Sequence, residues 1–114
     1  MDKEILKKRT KDFAVRILAL SESIPNSVSG RAIANQIVRS GTSVAANYRA
    51  ALRARSKAEF LAKLGIVIEE ADETLFWLEL IVESKIMHEN RILSLIQETD
   101  ESCNFLCDKK VFKC

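Results

Sequence analysis

The sequence predicts an all-α protein, an antiparallel up-down-up-down four-helix bundle, and three observations carry that expectation. The 114 residues include only three glycines and one proline, too few turn-formers for the closely spaced breaks of a β-rich fold. Apolar residues recur at helical spacing through four segments joined by short links. Apolar residues make up 47% of the chain and charged residues 30%, enough for residues 1–114 to form one domain around a core that needs no metal or disulfide.

The first helix is expected over residues 4–23, with Ile5, Leu6, Phe13, Ile17, Leu18 and Leu20 gathered on one side. The segment SIPNSVSG then breaks the pattern. Pro25 disfavours helix at Ile24, and Asn26, Ser27 and Ser29 are each competent N-caps for a second helix over 29–54. On a wheel with about 100° per residue, Ile33, Ile37, Gly41, Val44, Tyr48, Ala51 and Leu52 share an apolar sector. Arg31, Arg39, Thr42, Arg49 and Arg53 lie opposite. Ser56 and Glu59 form an S-x-x-E capping box that restarts a helix over 57–84. Its predicted core stripe is Phe60, Leu61, Leu64, Val67, Ile68, Ala71, Leu75, Leu78 and Val82. Phe76, Trp77, Leu80 and Ile81 are predicted to point away from that stripe. This second apolar face favours self-association over simple coverage by helix four or the chain ends. The fourth helix is expected over 89–102, on Ile92, Leu93, Leu95 and Ile96, with Phe105, Leu106, Val111 and Phe112 able to extend it.

The stretch RSGTSVAANYRAALRARS, residues 39–56, combines a glycine, hydroxyls and arginines in a way that invites comparison with a phosphate-cradling loop. A P-loop needs G-x-x-x-x-G-K-[ST] after a strand, and this stretch lacks the second glycine, the lysine and the strand. It reads instead as helix with arginines along one side. Cys103, Cys107 and Cys114 crowd the last residues, an odd number that reads as reduced thiols. With His88, the lone histidine, they match no familiar zinc spacing. The Glu69, Glu70, Asp72, Glu73 cluster lacks the Glu-x-x-His pattern of a di-iron bundle. No enzyme, cofactor or metal is expected. The chain starts MDKEILKKRTKD, charged from its second residue, and no apolar run approaches the roughly 20 residues of a membrane span. A cytoplasmic location away from any membrane is the expectation.

Charge is strongly partitioned. The formal net charge is +2, but residues 1–57 carry +8 and residues 58–114 carry −6. No acidic residue lies between Glu22 and Glu59, whereas Arg31, Arg39, Arg49, Arg53, Arg55 and Lys57 all do. An ordinary solvated face alternates sign, so this bias concerns partners. Two uses stand open: arginine's planar fork binds phosphate, and the same side chains suit the acidic third helix of a neighbouring subunit.

Residues 37–86 resemble the bacterial four-helix-bundle family of 23S ribosomal RNA intervening-sequence proteins, to which the accessory variability protein of diversity-generating retroelements is related. The resemblance lies in the ordered set Arg39-Ser40, Ser43, Asn47, Arg55-Ser56-Lys57, Glu59-Phe60 and the EEADETLFWLELI of helix three. It implies a homo-oligomer, a pentameric ring of bundles without catalytic activity. For the retroelement relative it implies nucleic acid and a reverse transcriptase as partners of the basic surface. One departure is visible. Where many members read Asn-Ile-Ala-Glu-Gly, this chain reads Asn47-Tyr48-Arg49-Ala50-Ala51, exchanging a glutamate for added positive charge.

The combined expectation is a non-enzymatic, oligomeric binding or scaffold protein. RNA or DNA would be held by Arg31, Arg39, Arg49, Arg53, Arg55 and Lys57. The alternative is a protein-protein adaptor working through Phe76, Trp77, Leu80 and Ile81, its basic and acidic faces spent on subunit assembly. Trp77 with Phe76 reads as interface or core before it reads as a base-stacking platform. Ser40, Ser43 and Asn47 are expected to hydrogen-bond across helices.

Overall fold

A computed structural model describes residues 3–110, with side chains described as far as residue 102. Four α-helices follow one another: α1 (Lys3–Ser23), α2 (Val28–Leu52), α3 (Lys57–Glu83) and α4 (Leu93–Lys110), with a 3-10 turn at Glu89–Arg91 before α4. No strand is present among the described residues, and the arrangement is compatible with a four-helix bundle. The helices pack in chain order, so α2 lies between α1 and α3, and α3 between α2 and α4. The α1–α4 seam is the thinnest. It is tied by Arg9 to Glu98, Arg16 to Ser94 and Arg91 to Ser23 near the end of α1.

The caps follow local chemistry. Of the three cap candidates before α2, Ser27 does the work: its backbone is extended and its Oγ accepts from the Gly30 N–H at 3.0 Å. Gly30 is required there because a Cβ would sit 1.9 Å from the Pro25 carbonyl oxygen. Ser56 caps α3 in the same way, accepting from Glu59 N–H at 3.1 Å. The reciprocal half of the expected capping box does not form, and Glu59 stays exposed. α3 ends in a Schellman motif, with Ile86 N–H donating to Ile81 O and Lys85 N–H to Val82 O. Lys85 occupies the left-handed position at φ 60°, where glycine is the usual resident.

The predicted core stripes hold in α2 and are rotated in α1 and α3. Leu6, Phe13, Ile17 and Leu20 are buried, whereas Ile5 and Leu18 are exposed. On α3 the buried residues are Leu64, Val67, Ala71, Thr74, Leu78 and Ile81. The apolar stripe expected from the sequence contains Leu75 and not Thr74, yet of the two it is Thr74 that is buried. Thr74 is satisfied in place. Its hydroxyl shares a 2.9 Å hydrogen bond with Ser40 Oγ of α2 and reaches the Glu70 carbonyl at 2.8 Å. A satisfied hydroxyl carries little penalty for burial. With Thr74 facing inward, Ile81, two turns further on, faces inward as well. Ile81 is fully buried and is no part of an exposed second face.

Next to Ser40, Gly41 sets the other seam of α2. A Cβ on Gly41 would stand 2.8 Å from Cγ2 and 3.0 Å from Cγ1 of Ile17. Ile17 is β-branched and wholly buried, so it cannot swing aside. The replacement Gly41→Ala therefore destabilises the protein by about 1–2 kcal/mol in urea unfolding, despite the better helix propensity of alanine. Adding Ile17→Ala makes the pair of changes less costly than the sum of the single ones. Strict additivity, or stabilisation by Gly41→Ala alone, would show that α1 and α2 do not meet at this point.

Candidate nucleic-acid interface

The C-terminal half of α2 is built from small residues punctuated by arginines, AANYRAALR, so its outward side offers cations above a low surface of alanines. Two grooves flank this ridge. The one toward α3 holds about 500 Å³ and is lined by Ala46, Arg49, Ala50, Arg53, Arg55, Glu59 and Lys63. The one toward α1 holds about 210 Å³ and is lined by Lys7, Lys11, Ala45, Ala46 and Arg49. Arg49 and Ala46 belong to both. Six cations from three helices and a link thus converge, opposed in the linings by the single carboxylate of Glu59. None of the six forms an ion pair within the described residues.

The six sequence-predicted cations do not act as one stripe. Arg49, Arg53 and Arg55 come together in the α2–α3 groove. Lys57 is exposed at the first residue of α3 and lines neither groove. Arg31 is at the opposite end of α2, where it donates to Asn26 Oδ1 at 3.1 Å. Arg39 is already engaged by its own chain: it donates to Glu73 and lies 3.5 Å from Glu70 Oε1. Lys7, Lys11 and Lys63 were missed as site residues because they sit on other helices. The antiparallel pairing forced by the short links was the signal that placed them beside α2.

The proposed apolar face contracts in the same way. Phe76 is 53% exposed and meets Trp77 edge-on, with ring centroids 4.9 Å apart. Trp77 and Leu80 are partly buried against the core, and Ile81 lies within it. Asn47 bonds to the Ser43 carbonyl of its own helix, so of the three polar residues expected to bridge helices only Ser40 has a described bond that does so. Among the described residues no three His, Cys, Asp or Glu side chains cluster as a metal site. The side chains of Cys103, Cys107 and Cys114 and of the apolar tail residues Phe105, Leu106, Val111 and Phe112 lie outside the described residues. No helix among the described residues is long and apolar enough to cross a membrane.

Arg39 shapes the local titration. Its hydrogen bond holds Glu73 below the ordinary carboxylate range, outweighing the opposing effect of partial burial, and the Trp77 indole N–H adds to the same direction. Arg39 in turn is held above its ordinary value, chiefly by Glu73. Beside them, Glu70 Oε2 is buried without a hydrogen-bond partner among the described residues. A carboxylate depressed on folding stabilises above its unfolded pKa, about 4.3, and loses that contribution as pH falls through the lower folded value. Urea midpoints taken from pH 7 to pH 3 should therefore show Glu73→Gln less stable than the parent at neutral pH, with the two converging below about pH 4. A gap that stays constant with pH would mean that the charge of Glu73 plays no part. Salt should narrow the neutral-pH gap, since Arg39 is half exposed.

Comparisons with known proteins bear on the whole chain. The family described as 23S rRNA-intervening sequence protein matches residues 2–108. Among solved structures, the chain is similar to the crystal structure of a protein of unknown function from Bacteroides thetaiotaomicron VPI-5482, assigned there to the S23 ribosomal protein family. The two share 34% identity and a TM-score of 0.90, over 97% of this chain and 99% of that one. No curated protein matches. With the four-helix architecture, the Arg55-Ser56-Lys57 junction and the acidic-apolar third helix all in place, the family match over nearly the full length leaves one conclusion: this chain belongs to the 23S rRNA-intervening sequence protein family.

Proposed function

We propose that the protein is a non-enzymatic, oligomeric scaffold that binds RNA or DNA through the basic surface around the C-terminal half of α2. The observation that carries this reading is the set Lys7, Lys11, Arg49, Arg53, Arg55 and Lys63, drawn from separate elements and without ion-pair partners among the described residues. Unpaired cations of one sign repel each other, so a protein that keeps six of them together gains by meeting a polyanion. Arg39 is left out of the contact surface because Glu70 and Glu73 already neutralise it. That pairing inside the chain also takes up part of the charge that an intersubunit contact would need. His88 shares a hydrogen bond with Asn90 in an exposed turn. Self-association draws support from Phe76 and Ile66, large apolar side chains left exposed on α3. The same Phe76 and Trp77 edge supports the second reading, a protein-protein adaptor.

Fluorescence anisotropy of a labelled RNA hairpin and a DNA duplex, titrated at several salt concentrations, tests the binding. Three to six phosphate contacts give a slope of roughly −2 to −5 in log K against log salt. The variant Arg49→Gln/Arg53→Gln/Arg55→Gln should bind at least about tenfold more weakly at low salt and lose about 2–3 units of that slope, while Arg39→Gln keeps the slope. Flat titrations at low salt overturn the nucleic-acid reading and leave the adaptor. The scaffold half is tested by native mass spectrometry at micromolar concentration, where an assembly is expected; a monomer alone removes it.

A further inference from the structure

We infer that the two grooves beside α2 work together and take double-helical nucleic acid by its two phosphate rows, in preference to an unpaired strand. This rests on the nucleic-acid reading above and narrows its ligand. α2 stands between α1 and α3, with one groove on each side and Arg49 on the crest shared by both. Packed helix axes lie about 8–10 Å apart, so channels on either side of one helix are separated by roughly a helix diameter. A single strand presents one row of phosphates, which one channel would satisfy. A duplex presents two rows across a groove about 6 Å or 12 Å wide, and so gives both channels an anion at once.

Proteins that hold unpaired strands join a basic channel to aromatic side chains on which the bases stack. Neither groove here has an aromatic residue or a histidine in its lining. Tyr48, which lies between the lining residues in sequence, is buried in the core. The floor is alanine: Ala45, Ala46 and Ala50 offer neither a stacking face nor a hydrogen bond to a base. Lysine and arginine in such a setting bind phosphate, and phosphate carries no sequence. The contact is therefore blind to sequence and sensitive to the spacing of the two rows. Glu59, the one carboxylate, lies in the larger groove, where Arg53, Arg55 and Lys63 outnumber it.

The test compares a DNA duplex, an RNA duplex and an unstructured oligothymidine of equal length, each labelled, with the full-length protein and with Lys7→Gln/Lys11→Gln. Circular dichroism verifies that the variant, altered only at side chains on the groove, stays helical. Both duplexes, or the one whose groove width fits, should bind at least about tenfold more tightly than the strand. Removing the α1 channel should weaken duplex binding several-fold, lower its salt slope by about 1–2, and leave the strand almost unchanged. A strand that binds as well as the better-bound duplex overturns the inference while the nucleic-acid reading stands. So does a Lys7/Lys11 variant that weakens strand and duplex equally, because the two channels would then not act as a pair. Binding to none of the three overturns the parent reading, and this one with it.

Discussion

Two adjacent small residues near the middle of α2, Ser40 and Gly41, hold the arrangement on which everything else depends. Ser40 faces α3 and shares a buried hydrogen bond with Thr74. Gly41 faces α1 and, lacking a Cβ, lets Ile17 pack directly on the helix backbone. Neither contact tolerates a larger residue without moving a helix, because the interior is close-packed and its β-branched side chains are stiff. Between them they fix how closely α2 sits against both neighbours. The depth of each groove, and the distance between Lys7 or Lys63 and the arginines of α2, follow from that placement.

The same placement divides the arginines into two populations. Halfway along α2, Arg39 looks across at the acidic part of α3 and is neutralised by Glu70 and Glu73. Toward the C-terminal end of α2, the facing part of α3 offers Glu59 and Lys63, and the facing part of α1 offers Lys7 and Lys11. There the positive charge is not cancelled. Pairing Arg39 internally and gathering the others gives a chain of formal charge +2 a local field much stronger than its net charge suggests. Family membership is consistent with such a surface but does not assign it a ligand: the solved relative is itself described as having unknown function. Arg49, the residue that both grooves share, stands within the Asn47-Tyr48-Arg49-Ala50-Ala51 segment.

Helix positions and most helix ends were legible in the residues themselves. Pro25, Ser27 and Ser56 act through bonds to their near neighbours, so a reading of nearest neighbours finds them. Periodicity placed the faces to within part of a turn and erred where polarity and packing disagree. A stripe built only from apolar residues put Leu75 inward and Ile81 outward and had no place for Thr74, a polar residue that is buried. The reason Thr74 can be buried, Ser40 Oγ, lies on another helix. The end of α3 is a similar case: Lys85 takes a left-handed conformation that favours glycine, because the Schellman bonds and the burial of Ile81 hold the chain there.

The sequence by itself determined that the chain is helical, where its first three helices run, and that its positive charge is concentrated before Glu59. Those are properties of spacing, caps and composition, which act over a few residues or need no geometry at all. The fourth helix, expected over 89–102, instead follows a 3-10 turn at Glu89–Arg91 and spans Leu93–Lys110. Only the tertiary structure decided which charges remain unpaired, which apolar residues stay exposed, and that lysines of α1 and α3 join the arginines of α2. Each of those outcomes depends on which surfaces meet across a helix seam. That is set by side-chain volume at Gly41 and hydrogen-bond partners at Ser40, quantities that belong to pairs of helices and to no single segment.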